Sequence, residues 1–142
     1  MRSAIAEHAP RENIIELLSN APASEPRPSA YLLAALARDF PDGSIFLCII
    51  DPGVGGSRLP LIIRAENQIF IGPDNGLFSI IIQRSSSVTA EKITWKPDNL
   101  SASFHGRDLF APVAAMLATG VNVETMPIAN NSLVGTDWPE DL

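Results

Sequence analysis

Three short stretches of this 142-residue chain set charged or imidazole side chains beside glycine. The first is Asp51-Pro52-Gly53-Val54-Gly55-Gly56-Ser57-Arg58, the second Ile71-Gly72-Pro73-Asp74-Asn75-Gly76-Leu77, and the third Ser103-Phe104-His105-Gly106-Arg107-Asp108. In the first, Pro52 and three glycines exclude regular structure and carry little side-chain bulk. A carboxylate and a guanidinium seven residues apart on such a loop leave room for a substrate between them. Taken alone, the same residues describe a tight turn with a surface Asp and a surface Arg. Three such junctions in one small domain instead suggest a composite site, provided the fold brings them together.

The elements that must do so can be read from patterning. Ile45 to Ile50 is an unbroken apolar run bounded by turn residues, which predicts a buried strand ending at Asp51. The ends of strands are where open α/β sheets bind ligands. Leu61-Ile62-Ile63-Arg64-Ala65 and Gln68-Ile69-Phe70-Ile71 predict a hairpin closed by Glu66-Asn67. The apolar run from Gly76 to Arg84 fits a helix or a strand, and Val88 to Trp95 reads as a strand. Pro22 to Pro28 reads as a loop. Ser29 is placed to cap a helix over Ala30 to Phe40, with Leu32, Leu33, Leu36 and Phe40 on one face. Arg107 to Thr119 is the clearest helix, with Pro112 in its first turns and Gly120 closing it. Ser3 to His8 suggests a short helix with no strand before it, and Asn13 to Leu18 a short strand. Lys96 to Ser103 reads as a polar loop. Beyond Val121 the pattern fades, and Asp137 to Leu142 suggests no closing element. The expected class is α/β, a mixed sheet flanked by helices, over one domain spanning residues 1–142.

Composition narrows the function. The chain is 46% apolar and 18% charged, as a globular domain is. Its formal charge of −6, with no basic block, argues against nucleic acid and anionic membrane as partners. Cys48 is the single cysteine and lies in the apolar strand run, so it reads as core filler. No signal-peptide core or bilayer-length apolar stretch is visible, which makes the cytoplasm the expected compartment.

The three junctions resemble those of the S-adenosylmethionine hydroxide adenosyltransferase family, relatives of the fluorinase and chlorinase enzymes. The matching motifs are Asp51-Pro52-Gly53-Val54-Gly55, Gly72-Pro73-Asp74-Asn75-Gly76, and Phe104-His105-Gly106-Arg107-Asp108 followed by Phe110-Ala111-Pro112. Each is weak alone; their order and spacing are specific. The resemblance implies that Asp51, Arg58 and His105 position a water or hydroxide. The halogenating relatives lack this trio, so its presence points to water as the nucleophile. Asp74, Asn75, Phe104 and Gly106 would border the substrate, S-adenosyl-L-methionine, with no metal and no further cofactor. The sulfonium is already a good leaving group, so the site needs an oriented water in line with ribose C5′. His105 or Asp51 would take its proton and Arg58 would stabilise developing hydroxide. The resemblance also implies a homotrimer, with ligand held between the N-terminal domain of one subunit and the C-terminal domain of the next.

Some family features are not matched. The family's first strand, with its Thr-Asp-Phe-Gly motif, would lie upstream of Met1, and its β-rich C-terminal domain would lie downstream of Leu142. Leu18-Ser19 stands where the family has a Thr-His pair. The chain therefore corresponds to a central piece of the N-terminal domain. Plainer roles also exist for single residues. His105 would serve as a helix-entry histidine bonded to backbone, Asp74 and Asp108 as partners of helix N-termini, Asn75-Gly76 as a turn, Phe104 as core rather than an adenine platform, and Trp95 and Trp138 as packing residues. Two other functions compete. One is a non-catalytic nucleoside-binding or assembly module of the same fold. The other is a metal-dependent hydrolase using Asp51, Asp74, His105 and Asp108, which ranks low because no close-spaced ligand pair is present.

Overall fold

The computed structural model describes residues 25–48, 58–98 and 109–140. In chain order these form α1 (Pro26–Ala37), β1 (Ile45–Leu47), β2 (Pro60–Ala65), β3 (Gln68–Pro73), α2 (Ser79–Arg84), β4 (Val88–Ile93), α3 (Ala111–Ala118) and β5 (Thr125–Ile128). A 3-10 turn over Asn130–Ser132 follows β5. The strands make one mixed sheet in the order β1-β3-β2-β4-β5, with β1 parallel to β3 and every other pair antiparallel.

The hairpin is the local nucleus of this sheet. Glu66 and Asn67 both adopt positive φ, 50° and 67°, the geometry of a two-residue turn that matches strand twist. Its register pairs Ala65 with Gln68 and Pro60 with Pro73. β2 is central and buried on both faces, which explains its continuous apolar run. Leu61, Ile63 and Ala65 face one core together with Phe46, Phe70 and Ala90, under α1 and α2. Ile62 faces a second core with Ile71, Ile93 and, from α3 and the turn before it, Leu109, Phe110 and Val113. The arrangement is thus helix, sheet, helix. In the first core Phe46 and Phe70 stack at 4.8 Å between ring centroids, and Phe40 and Phe78 extend the aromatic row at either end.

Cys48 is buried and its Sγ faces the Phe46 carbonyl. Burial pushes its thiol up, so it is a packing residue and an inert thiol, as its place in the strand run suggests. The ambiguous run after Gly76 is helical, as α2. The helix α3 ends as expected: Gly120 takes φ of 79°, Val121 N–H donates to the Met116 carbonyl at 2.8 Å and Gly120 N–H to that of Leu117 at 3.2 Å, a two-bond glycine cap. Pro112 sits in its first turn.

Two sequence expectations are corrected. The first helix begins at Pro26 inside the presumed loop, with Glu25 at the cap position, and Ser29 is buried within the helix instead of capping it. Its buried face is Ser29, Ala30, Tyr31, Ala34 and Ala37, while Leu32 is exposed. Small residues let α1 approach closely, and that requirement outweighs the larger apolar area of the leucine stripe. Second, residues 122–140 fold into defined structure. β5 pairs with β4 from Thr125↔Ile93 to Ile128↔Ala90, and residues 133–140 then run back across α2 and α1 as a strap. The readings for Ser3 to His8, Asn13 to Leu18 and the start of the third helix at Arg107 lie outside the described residues.

Candidate functional site

Strand direction decides where the strands that precede the three motif stretches end. β1 and β3 run the same way; β2 opposes β3, and β4 opposes β2. The C-terminal ends of β1, β3 and β4 therefore lie at one end of the sheet. The first motif stretch follows β1, the second follows β3, and the third follows β4 through the loop at 94–98. The turn Glu66-Asn67 closes the opposite end.

At the motif end the backbones are tightly joined. Cys48 N–H donates to Ile71 carbonyl at 2.9 Å, and Asp74 N–H donates to Leu59 carbonyl at 2.8 Å. Both described ends of the first motif stretch, Cys48 and Arg58-Leu59, thus sit against Ile71 to Asp74. Gly72 is required here: a Cβ would lie 2.4 Å from the Cys48 carbonyl oxygen. Arg58 is exposed.

The loop after β3 is built by its own side chains. Asn75 is buried, and its Oδ1 accepts from Leu77 N–H at 3.1 Å, an Asx-type turn that leads into α2. Gly76 has φ of 94°, and a Cβ there would meet the Trp138 ring at 2.2 Å. Trp138 is accordingly a packing residue, as its sequence context suggests. Its ring also carries the Arg27 guanidinium at 5.4 Å from the centroid, and its carbonyl accepts from Gln83 Nε2 at 2.9 Å. Tyr31 Oη donates to the Pro139 carbonyl, and Arg84 to that of Glu140. The strap is therefore fastened to α1, to α2 and to the loop.

Asp74 is half-buried and its Oδ1 accepts from Val134 N–H at 3.0 Å. Burial raises its carboxyl above the ordinary value, while the Val134 amide and the nearby Arg58 charge oppose that rise. Of the seven site residues expected from the sequence, the structure brings Arg58, Asp74 and Asn75 to one end of the sheet. Asp51, Phe104, His105 and Gly106 lie outside the described residues, as does Asp108. Val134 and Trp138 shape the loop, yet they sit sixty residues downstream of it in a stretch without periodicity, and only the strap's fold reveals them. Among the described residues no group of three or more His, Cys, Asp or Glu is placed to hold a metal, and no helix is long and apolar enough to cross a membrane.

A model of the SAM hydroxide adenosyltransferase N-terminal domain family matches residues 1–127. The chain belongs to this family. It is 37% identical over 120 residues to a Salinispora arenicola protein named (R)-S-adenosyl-L-methionine hydrolase, covering 82% of this chain and 46% of that one. A Thermus thermophilus protein of the same name is 32% identical over 161 aligned positions, covering 99% of this chain and 61% of the relative. The chain spans about half the length of the curated relatives it matches. Among solved structures, a conserved, uncharacterised protein from Thermotoga maritima superposes with a TM-score of 0.85 at 30% identity, over 91% of this chain and 52% of that one. The family member described here thus keeps the mixed α/β sheet expected from its motifs.

Proposed function

We propose that this chain forms one wall of a site that hydrolyses S-adenosyl-L-methionine to adenosine and L-methionine. The observation that carries the reading is that β1, β3 and β4, the strands preceding the three motif stretches in the chain, end at one end of the sheet, where Arg58, Asp74 and Asn75 also lie. It is supported by family membership and by the names of the Salinispora and Thermus relatives.

In the proposed reaction the oxygen of water bonds to ribose C5′ as the C5′–S bond breaks, with the electron pair leaving on sulfur as neutral thioether. The water proton passes to His105 or Asp51, and Arg58 stabilises the hydroxide character that develops. Asp74, Asn75, Phe104 and Gly106 border the substrate. The leaving group needs no acid, so catalysis rests on aiming the water, and a water aimed at a poorly held ribose achieves little. The second wall is proposed to come from a neighbouring subunit in a homotrimer, with the cytoplasm as the working compartment. In this assignment residues 1–142 belong to a single N-terminal catalytic-type domain.

The test is product analysis in isotope-labelled water, using this chain's residues 1–127 in place of the matching domain of the Salinispora relative. Equal amounts of adenosine and methionine, with the labelled oxygen in the adenosine 5′-hydroxyl and no effect of a chelator, are expected. Binding of S-adenosylmethionine without turnover would favour a nucleoside-binding module, and loss of turnover on chelation would favour a metal-dependent hydrolase.

A further inference from the structure

At the hairpin end of the sheet, away from the motif stretches, the end of α1, the end of α2 and the hairpin border a cleft of about 310 Å³. Pockets that hold small molecules begin at about this size, roughly 300 Å³. The floor is apolar and buried, made by Ala34 and Ala37 of α1, Ala65 and Phe70 of the hairpin and Ile81 of α2. The neutral side-chain donors in the wall are already paired within the protein. Gln68 Nε2 donates to the Ala37 and Phe40 carbonyls at 2.9 and 3.0 Å, and Ser85 Oγ donates to the Ile81 carbonyl at 2.6 Å. A sugar or a base, read through neutral hydrogen bonds, is therefore poorly matched here. The charged groups of the rim differ among themselves. Glu66 Oε1 accepts from Ser86 and Ser87, and Arg84 donates to the Glu140 carbonyl at 2.9 Å. Arg38 and Asp42 are exposed, and among the described residues their side chains have no hydrogen-bond or ion-pair partner. Arg38 and Arg84 balance Asp42 and Glu66, so the rim has no net charge. One cation and one anion without partners, above a buried apolar floor, complement a molecule that carries both charges and an aliphatic side chain.

We propose that this cleft binds a free α-amino acid with an apolar side chain: its carboxylate pairs with Arg38, its ammonium with Asp42, and its side chain lies over Phe70 between α1 and α2. The site is separate from the motif end and does not depend on the hydrolysis reading. Each exposed ion pair contributes little alone, so binding is weak and needs the charges and the apolar contact together. The dissociation constant is expected on the order of 1 mM.

The experiment is a titration of the whole chain with L-leucine, followed through backbone amide signals by nuclear magnetic resonance. Saturable shifts are expected at Glu66, Gln68 and Ser85, and none at Asp74 and Asn75. L-leucinamide, which lacks the carboxylate, and 4-methylpentanoate, which lacks the ammonium, are each expected to bind about fivefold more weakly, the upper range for one exposed pair. Arg38→Gln and Asp42→Asn should each weaken L-leucine by the same factor. Both side chains are exposed, and unchanged signals in β2 and β4 verify that the variants keep the fold. In Arg38→Gln, L-leucine and L-leucinamide should bind equally, because the group that tells them apart is gone; in Asp42→Asn the same holds for L-leucine and 4-methylpentanoate. No saturation at about fiftyfold the expected dissociation constant would overturn the proposal. So would shifts confined to the motif end, which would place the amino acid in the proposed hydrolytic site. Equal affinity of the wild-type chain for L-leucine and 4-methylpentanoate would overturn it as well, because the cleft would then recognise no ammonium.

Discussion

The two ends of the sheet each carry a carboxylate in a loop, and they are treated in opposite ways. At the hairpin end, Glu66 is exposed and its Oε1 accepts from the Ser86 and Ser87 amides and the Ser86 hydroxyl. Those bonds hold its carboxyl below the ordinary value, Ser86 hydroxyl foremost. At the motif end, Asp74 is half-buried, has one amide and a neighbouring arginine, and is raised by burial. The first carboxylate gathers three donors on one oxygen and ties the hairpin turn to the loop before β4. The second retains acceptor capacity beside a cation at the ends of the strands, a setting in which perturbed groups tend to be functional.

Two glycines of nearly equal φ give the largest expected contrast. Gly76, at 94°, lies against Trp138, whereas Gly43, at 87°, has nothing within 4 Å of a built Cβ. Gly76→Ala should cost ~3 kcal/mol, combining positive-φ strain with overlap against an indole pinned by Arg27. Gly43→Ala should cost only ~1 kcal/mol from strain alone. Chemical denaturation midpoints measure both. Similar losses would mean that the strap yields to the added methyl and that the motif end is no more tightly built than the hairpin end.

The carboxylates should differ in the sign of their pH dependence, with smaller effects. Glu66 is depressed in the folded state, so its contribution is present above the unfolded carboxylate value and is lost as pH falls through its folded value. The stability gap between wild type and Glu66→Gln should narrow on acidification. Asp74 is raised, so its contribution is present below the unfolded value and lost as pH rises through its folded value. Asp74→Asn should accordingly gain on wild type as pH rises. Denaturation at several pH values between about 3 and 7 tests both, and gaps of the same sign would dissolve the contrast.

The sequence was most informative where chemistry is local. The Glu66-Asn67 turn, the strands beside it and the glycine cap after α3 each follow from a few adjacent residues. It misled where packing partners are remote. The leucines of α1 form the more obvious stripe, but Ala30, Ala34 and Ala37 are buried, because the neighbouring elements demand a small face. β5 is four residues with Pro127 inside, too short and too broken to register as a strand. The strap has no periodicity, since one indole set against glycines 76 and 135 does the packing. For the site, motif order suggested that Arg58, Asp74 and Asn75 belong together, and they share one end of the sheet. The connection of Asp74 to Val134 had no signal in the chain.

The central proposal is that Asp51, Arg58 and His105 act on the water and leave the grip on the nucleoside intact. The most direct measurement is single-turnover hydrolysis and equilibrium binding of S-adenosylmethionine by the Salinispora chimera carrying His105→Ala. The account predicts that the chemical step slows by about a hundredfold or more while the binding constant changes by less than about threefold. An equal loss in both, or hydrolysis at the wild-type rate, would contradict it.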